Sequence, residues 1–471
     1  MKTSKYITII ILVSFVLTGC TRDNFLDFQP KGQVIPSKVE EFRALLDQVE
    51  PDPNVNFTQG FGTHHDFTII ASDNYVLTEQ VRASFGISPE EINLYLFKEQ
   101  ISTENGDDNN WIRYYNQIYV ANVVLEGLKT VEDGTPEAIA EIRADASLQR
   151  AFAYFNLVNI YSVHYSPETA ETDLGVPIRD GIELEGADFT RASVAQVYNL
   201  ILSDIENNID ALPDLQPANL SFRPSKAGAY TFLARVLIYQ SKYQEALNVI
   251  NKGLALKSNL RDINNDTADP RDANVLAYPL AVQDEQLIWY KDSGGFTIVT
   301  SPEFYSLYND NDQRKKWFAD ARTYFFAEIE NPVFVAHRAN NNTNVSLTTA
   351  DLYLMRAECH ARLGNIELAN NDLNELRVKR FKTDTYVPVN ITDQDDLIAF
   401  VKDEIRREKA MSTLRIFDIK RYNRFDNANI TVTHSFNGET ASLTPNSLNW
   451  ALPIATNYID ANPEIEQNPR E

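Results

Sequence analysis

Two stretches of this chain carry the same arrangement of large and small apolar residues, and that arrangement constrains the fold more than any other feature. Residues 225–257 read SKAGAYTFLARVLIYQ, a break at Ser241-Lys242, then YQEALNVINKGLALK. Tyr230, Leu233, Ala234 and Leu237 fall on one face of the first segment, and Ala246 and Ile250 on one face of the second, at the three-and-four spacing of helices. The small residues let two helix backbones approach closely, so the spacing predicts an antiparallel pair. The pattern recurs in ADLYLMRAECHARLG followed by NIELANNDLNELRVKR, with Tyr353, Ala357, Gly364, Ala369 and Leu373 in corresponding places.

Helix pairs of this kind are the unit of tetratricopeptide arrays, which repeat at about 34 residues. Ala246 and Ala369 stand 123 residues apart, so these hairpins are interrupted, not tandem. Helical spacing dominates elsewhere too. Ser37 and Glu40 precede Val39, Phe42, Leu45, Leu46 and Val49, a run that stops at Pro51. Trp111, Tyr115, Ile118, Asn122 and Leu125 form one seam, a further helix covers about 137–162, and Ser193 with Gln196 caps a stripe from Val194 to Ile209. A last helix is expected at about 394–411, with an irregular or short-β tail from 425. Residues 51–110 and 258–346 read instead as long loop-rich excursions rich in aromatic residues. The fold class expected is mainly α: an interrupted tetratricopeptide-like helical hairpin scaffold bearing two excursions. Such scaffolds are rigid and commonly carry function on their surfaces or inserted loops.

The N-terminus indicates a destination. Lys2 and Lys5 precede an uncharged apolar run, Tyr6–Leu17, too short to span a ~30 Å hydrocarbon core. Leu17-Thr18-Gly19-Cys20 follows, a bacterial lipobox in which the Cys20 thiol is acylated before cleavage. Three acyl chains would anchor the protein firmly, at ~0.8 kcal/mol per buried methylene. Cleavage leaves 452 residues and removes two lysines and no acids, so the formal charge of −23 becomes a side-chain balance of −25. Such a charge argues against nucleic-acid binding and favours a body that stands off an anionic membrane. With Cys20 acylated, the only other cysteine, Cys359, has no disulfide partner. It shares a helix face with Leu352 and Met355 and reads as a buried structural thiol.

No arrangement of catalytic residues emerges. His64-His65-Asp66 are adjacent, so their side chains diverge on an extended segment and do not make a metal site. The chain has no HExxH or GxSxG frame, and Gly60-Phe61-Gly62 lacks the context of a dinucleotide loop. The acidic run Glu104–Asp108 reads as a solvated helix cap, with Ca²⁺ coordination the weaker alternative. Catalytic residues, metal and cofactor are therefore expected to be none. For binding, Asp73-Asn74-Tyr75 and Trp289-Tyr290-Lys291-Asp292 set rings beside planar polar groups, the combination that recognises the C–H faces and hydroxyl rims of sugars. Asp73, Asn74, Tyr75, Trp289 and Tyr290 are the expected ligand contacts, with core packing as the alternative for each ring.

Taken in order, the landmarks resemble those of the SusD/RagB family of outer-membrane nutrient-binding lipoproteins. They are Phe25-Leu26-Asp27-Phe28-Gln29-Pro30 after the anchor, then Trp111, Tyr115, Ile118, Ala121, Asn122 and Leu125. Arg150-Ala151-Phe152 with Tyr154, Phe155, Leu157 and Tyr161 comes next, followed by Gly175-Val176-Pro177 and Arg223-Pro224-Ser225-Lys226 with Leu233-Ala234-Arg235-Val236. Late in the chain stand Arg415–Arg421, Asn462-Pro463 and Gln467-Asn468-Pro469. One departure is Ser412-Thr413, where the family has Glu-Gly. The resemblance implies a signal peptide (1–19), an N-terminal SusD-like region with the first hairpin (20–257) and a C-terminal SusD/RagB region (258–471). It also implies a surface-exposed outer-membrane lipoprotein, not an enzyme, that binds a glycan and passes it to a SusC-like TonB-dependent transporter over which it acts as a lid. A peptide-binding member of the family, or a protein-interaction adaptor without a small-molecule site, is the alternative.

Overall fold

The computed structural model describes residues 36–47, 63–64, 68–102, 106, 108–183, 186–266, 283–293, 298–322, 327–334, 343–344 and 346–471. Cys20, the lipobox, and His65-Asp66 lie outside them. Residues 38–471 form one compact unit. Its helices are α1 (Val39–Asp47), α2 (Glu79–Phe85), α3 (Pro89–Tyr95), α4 (Asn109–Gly127), α5 (Pro136–Tyr161), α6 (Val194–Glu206), α7 (Lys226–Tyr239), α8 (Tyr243–Leu256), α9 (Pro302–Tyr305), α10 (Thr349–Arg362), α11 (Ile366–Arg377), α12 (Gln394–Glu408), α13 (Leu414–Asp426) and α14 (Thr456–Ala461). Strands are short, and a hairpin of Val432–Phe436 with Glu439–Leu443 contains the longest. The mainly helical hairpin scaffold expected from the sequence is what forms.

The two hairpins close with the same chemistry. In the first, Ser241 adopts φ +62° and the Lys242 amide donates to the Leu237 carbonyl; in the second, Gly364 adopts φ +78° and the Asn365 amide donates to His360. Each is a left-handed helix stop that satisfies a terminal carbonyl. The predicted inner positions Ala234, Ala246, Ile250, Ala357, Ala369 and Leu373 are all fully buried, whereas Tyr230 and Tyr353 sit at the rim. Although far apart in sequence, the hairpins pack on each other, α8 against α10. Gly253 is where they meet: a Cβ there would lie 3.2 Å from the Leu352 side chain. The second excursion is thus looped out of a continuous stack.

The sequence landmarks turn out to be internal fastenings around α5. Its Arg150 makes a two-pronged pair with Asp204 of α6 (2.8 and 2.7 Å) and donates to Asn122 of α4. Buried Arg191 donates to the carbonyls of Gly175, Tyr161, Leu174 and Glu466 and to Asn468 Oδ1. That one guanidinium joins the Gly-Val-Pro segment, the end of α5 and the C-terminal Gln-Asn-Pro. Gly175 is required there, because a Cβ would fall 2.6 Å from the Ala192 carbonyl oxygen. Lys420 of α13 caps α5, its Nζ 2.6 Å from the carbonyls of Asn159 and Ser162.

Three expectations need correction. The excursion 51–110 contains α2 and α3, started by Thr78 and by a Ser88/Glu91 capping box with Pro89 at its first position. The helix at 394–411 is not the last, since it stops at Glu408 and α13 and α14 follow. Nearly every residue of α13 from Leu414 to Asn423 is buried, charged ones included, so no one-sided apolar stripe announces it. Asp108 does cap α4, accepting the amides of Asn110 and Trp111, but it is not solvated: Tyr161 donates to it at 2.7 Å and Tyr458 covers its amide.

Candidate functional site

The two excursions meet. Thr63–His64 pairs parallel with Asp292–Ser293, which pairs antiparallel with Thr343–Asn344, so one small sheet draws strands from both. Nearby, Tyr75 bridges Thr300, the Val76 amide donates to Val299, and the Ser301 amide and hydroxyl donate to the Asn74 and Asp73 carbonyls. Both roots are bolted to the late helices. Arg314 of the second excursion, wholly buried, pairs with Asp312 and with Glu404 and Glu408 of α12. On the first, Arg415 grips Asp73 with two bonds of 2.8 and 2.7 Å, and Arg406 reaches it at 3.1 Å. Burial raises the Asp73 carboxyl, and the two guanidinium charges more than reverse this, leaving it below the ordinary carboxylate range.

This geometry corrects the expected ligand contacts. Trp289 is 0% exposed, its Nε1 donates to the Phe222 carbonyl, and its ring packs edge-on against Phe152 and Phe232. Tyr75 is 2% exposed and packs edge-on against Tyr95; Tyr290 is buried with Leu287 and Phe222. Asn74 is buried too, its side-chain oxygen accepting from Arg406 Nε at 2.7 Å. None of these groups turns a free face outward. The strand Leu287–Trp289 is covered on both sides, which alternation in sequence does not reveal. Asp73, Asn74 and Tyr75 come together with the second excursion as its fastening, while Trp289 and Tyr290 belong to the core beneath it. Cys359, as expected, is a buried free thiol, and burial holds it well above the ordinary thiol range.

A site that sequence reading missed lies elsewhere. A cavity of about 250 Å³ opens between the segment after α5, the outer end of α13 and residues 445–450. His164, Lys420, Asn423, Arg424 and Asp173 line it, with Asn446, Leu448 and Trp450 on the opposite side. His164 is buried between Tyr239 and Phe425, and neither ring nitrogen completes a hydrogen bond. Burial, followed by the charges of Lys420, Arg421 and Arg424, holds this imidazole neutral, well below the usual histidine range. Burial likewise brings the Lys420 ammonium down to about 7. Arg424 is paired with Glu168, and the Asp173 carboxylate takes the Thr169 hydroxyl. The signal for this site was the pair His164 and Lys420, brought together only by the docking of α13 on α5. Among the described residues no group of three or more His, Cys, Asp or Glu side chains is placed to hold a metal. Nor is any described helix long and apolar enough to cross a membrane.

Comparison with known proteins fits this frame. Residues 24–238 match a family described as starch-binding and associating with the outer membrane, and residues 264–470 match the SusD family. SusD-like protein P38 of Formosa agariphila is 24% identical, over 84% of this chain and 85% of its own. A SusD superfamily protein of Bacteroides thetaiotaomicron shares the fold with a TM-score of 0.72 at 19% identity, covering 92% of this chain and 100% of that one. The surface glycan-binding protein A of Bacteroides uniformis superposes with a TM-score of 0.67 at 18% identity, covering 91% of this chain and 98% of its own.

Proposed function

The chain belongs to the SusD family, and from that premise we propose that it is a surface lipoprotein of the outer membrane that captures a glycan without altering it. The observation that carries the reading is the ordered match of both family halves, 24–238 and 264–470, to one chain whose fold matches a surface glycan-binding protein nearly end to end. In this reading Cys20 is acylated and tethers the body, and the captured glycan passes to a SusC-like TonB-dependent transporter. The architecture supports the role. A rigid helical frame holds the roots of two excursions in one sheet, so a ligand surface built on them keeps its shape. Capture rather than hydrolysis also fits the cavity, where Asp173 is the one acid among the lining residues and glycoside cleavage commonly needs two facing carboxylates.

Isothermal titration of the purified protein against plant, algal and host polysaccharides and a peptide panel tests the reading. Saturable heat with at least one polysaccharide is the expected result. Binding of peptides alone would replace the glycan by a peptide, and no heat with either class would remove ligand capture. Co-purification of Cys20-anchored protein with a β-barrel transporter from native membranes tests the partner, and loss of membrane association in Cys20→Ala tests the anchor.

A further inference from the structure

We propose that the cavity between α5, α13 and residues 445–450 is a carbohydrate site for a single sugar ring, separate from the excursions and independent of polymer capture there. The size is the first argument. At about 250 Å³ it falls below the ~300–1,000 Å³ typical of drug-sized ligand sites, which suits one pyranose rather than an oligosaccharide. The charge balance is the second. Lys420 spends two donors on backbone carbonyls, Arg424 is neutralised by Glu168, and Asp173 is engaged by Thr169. A net anion or cation finds no unmatched counter-charge, so the occupant is neutral.

The polar pattern is the third argument. His164 is buried, lines the cavity and leaves both ring nitrogens without a partner, a cost of about 1–3 kcal/mol for each unless something fills the space. A neutral imidazole offers one donor and one acceptor, the complement of hydroxyl groups that each donate and accept. Water could supply this too, but the cavity also has an apolar side. Leu448, 37% exposed, stands beside Pro445 and the nearly buried Trp450, opposite the His164 and Lys420 side. An apolar wall facing a polar one matches a sugar ring, whose C–H face and hydroxyl edge differ in the same way.

The full-length protein in a non-glycosidic detergent, titrated with methyl α- and β-glycosides of glucose, galactose, mannose and xylose, tests this. The readout is saturation-transfer NMR, which sees millimolar binding. At least one glycoside is expected to give a saturable signal with a Kd of roughly 1–50 mM. Asn446→Trp plugs the exposed mouth without touching the core and should weaken that signal tenfold or more. His164→Phe, checked by circular dichroism for retained helix, should do the same. No saturable signal from any glycoside in folded wild-type protein would overturn the proposal, as would a signal unchanged in Asn446→Trp. Displacement of the glycoside by equimolar glycine would overturn it in favour of a zwitterion site. Because the polysaccharide titration is read separately, an absent monosaccharide signal leaves polymer capture standing, and the reverse result leaves this cavity standing.

Discussion

Asp73→Asn is the most informative single change, because it separates a ligand contact from a structural clamp at a residue for which sequence favoured the first. The carboxylate is 17% exposed and faces Arg415 and Arg406, which are 11% and 7% exposed. Asparagine keeps the shape and removes the charge. Two guanidinium groups that are about nine-tenths hidden are then left facing each other. Breaking a fully buried pair costs about 3–5 kcal/mol, and the remaining solvent access of Asp73 brings the expected loss down to about 2–3 kcal/mol. Urea denaturation followed by tryptophan fluorescence measures it, using the chain without residues 1–20, which retains the whole compact unit 38–471. A double-mutant cycle with Arg415→Gln should return a coupling above about 1 kcal/mol. Amide exchange should accelerate around residues 72–76 and 299–301, whose backbones are bonded across the excursions beside Asp73. A loss below 0.5 kcal/mol together with unchanged exchange would show that the clamp contributes nothing, and Asp73 would return to the list of ligand contacts.

Trp289→Ala should lower stability by about 3–5 kcal/mol through the cavity left beside Phe152 and Phe232; a thermal midpoint equal to wild type would refute the buried placement. Glu358 of α10 is a second hub. Burial pushes its carboxyl up, but Arg421 and Arg362 outweigh that and bring it to about 2, against an ordinary 4.5. A folded-state value below the unfolded one means that the stabilisation is complete above about pH 4.5 and is lost as pH falls toward 2. At 1.36 kcal/mol per unit it amounts to about 3 kcal/mol. The acid limb of a stability–pH profile should therefore flatten in Glu358→Gln, and a limb as steep as wild type would contradict the assignment.

What could be read from the sequence follows a physical division. The hairpins were legible because close helix packing demands small residues at fixed spacing, and Ala234, Ala246, Ala357 and Ala369 have few substitutes. The ordered landmarks were legible for a related reason. Arg150, Arg191, Lys420 and Asn468 satisfy internal carbonyls and carboxylates, and such partnerships tie residue type to place. α13 was hidden because its buried face carries Asp418, Lys420 and Arg421, whose partners Asn159, Ser162 and Glu358 lie far away in sequence. The helices α2 and α3 could have been found, since Thr78 and Ser88-Pro89-Glu90-Glu91 are start signals within a region read as loop.

The aromatic residues show where this kind of reading stops. A ring that stacks on a sugar and a ring that fills a core have the same sequence signature, and polar neighbours do not separate them, because a buried tryptophan also needs a partner. Trp289 finds the Phe222 carbonyl, and Lys291 sits over its ring. What does separate them is satisfaction. Trp289 has its hydrogen bond and its packed faces, whereas His164 is as well hidden and has neither nitrogen bonded. A group removed from water and left without a partner is held there at a cost, and in a marginally stable fold that cost points to an occupant more strongly than any surplus of rings. On that reasoning the sugar-sized cavity at His164 is a better place to search for a contact residue than either aromatic motif.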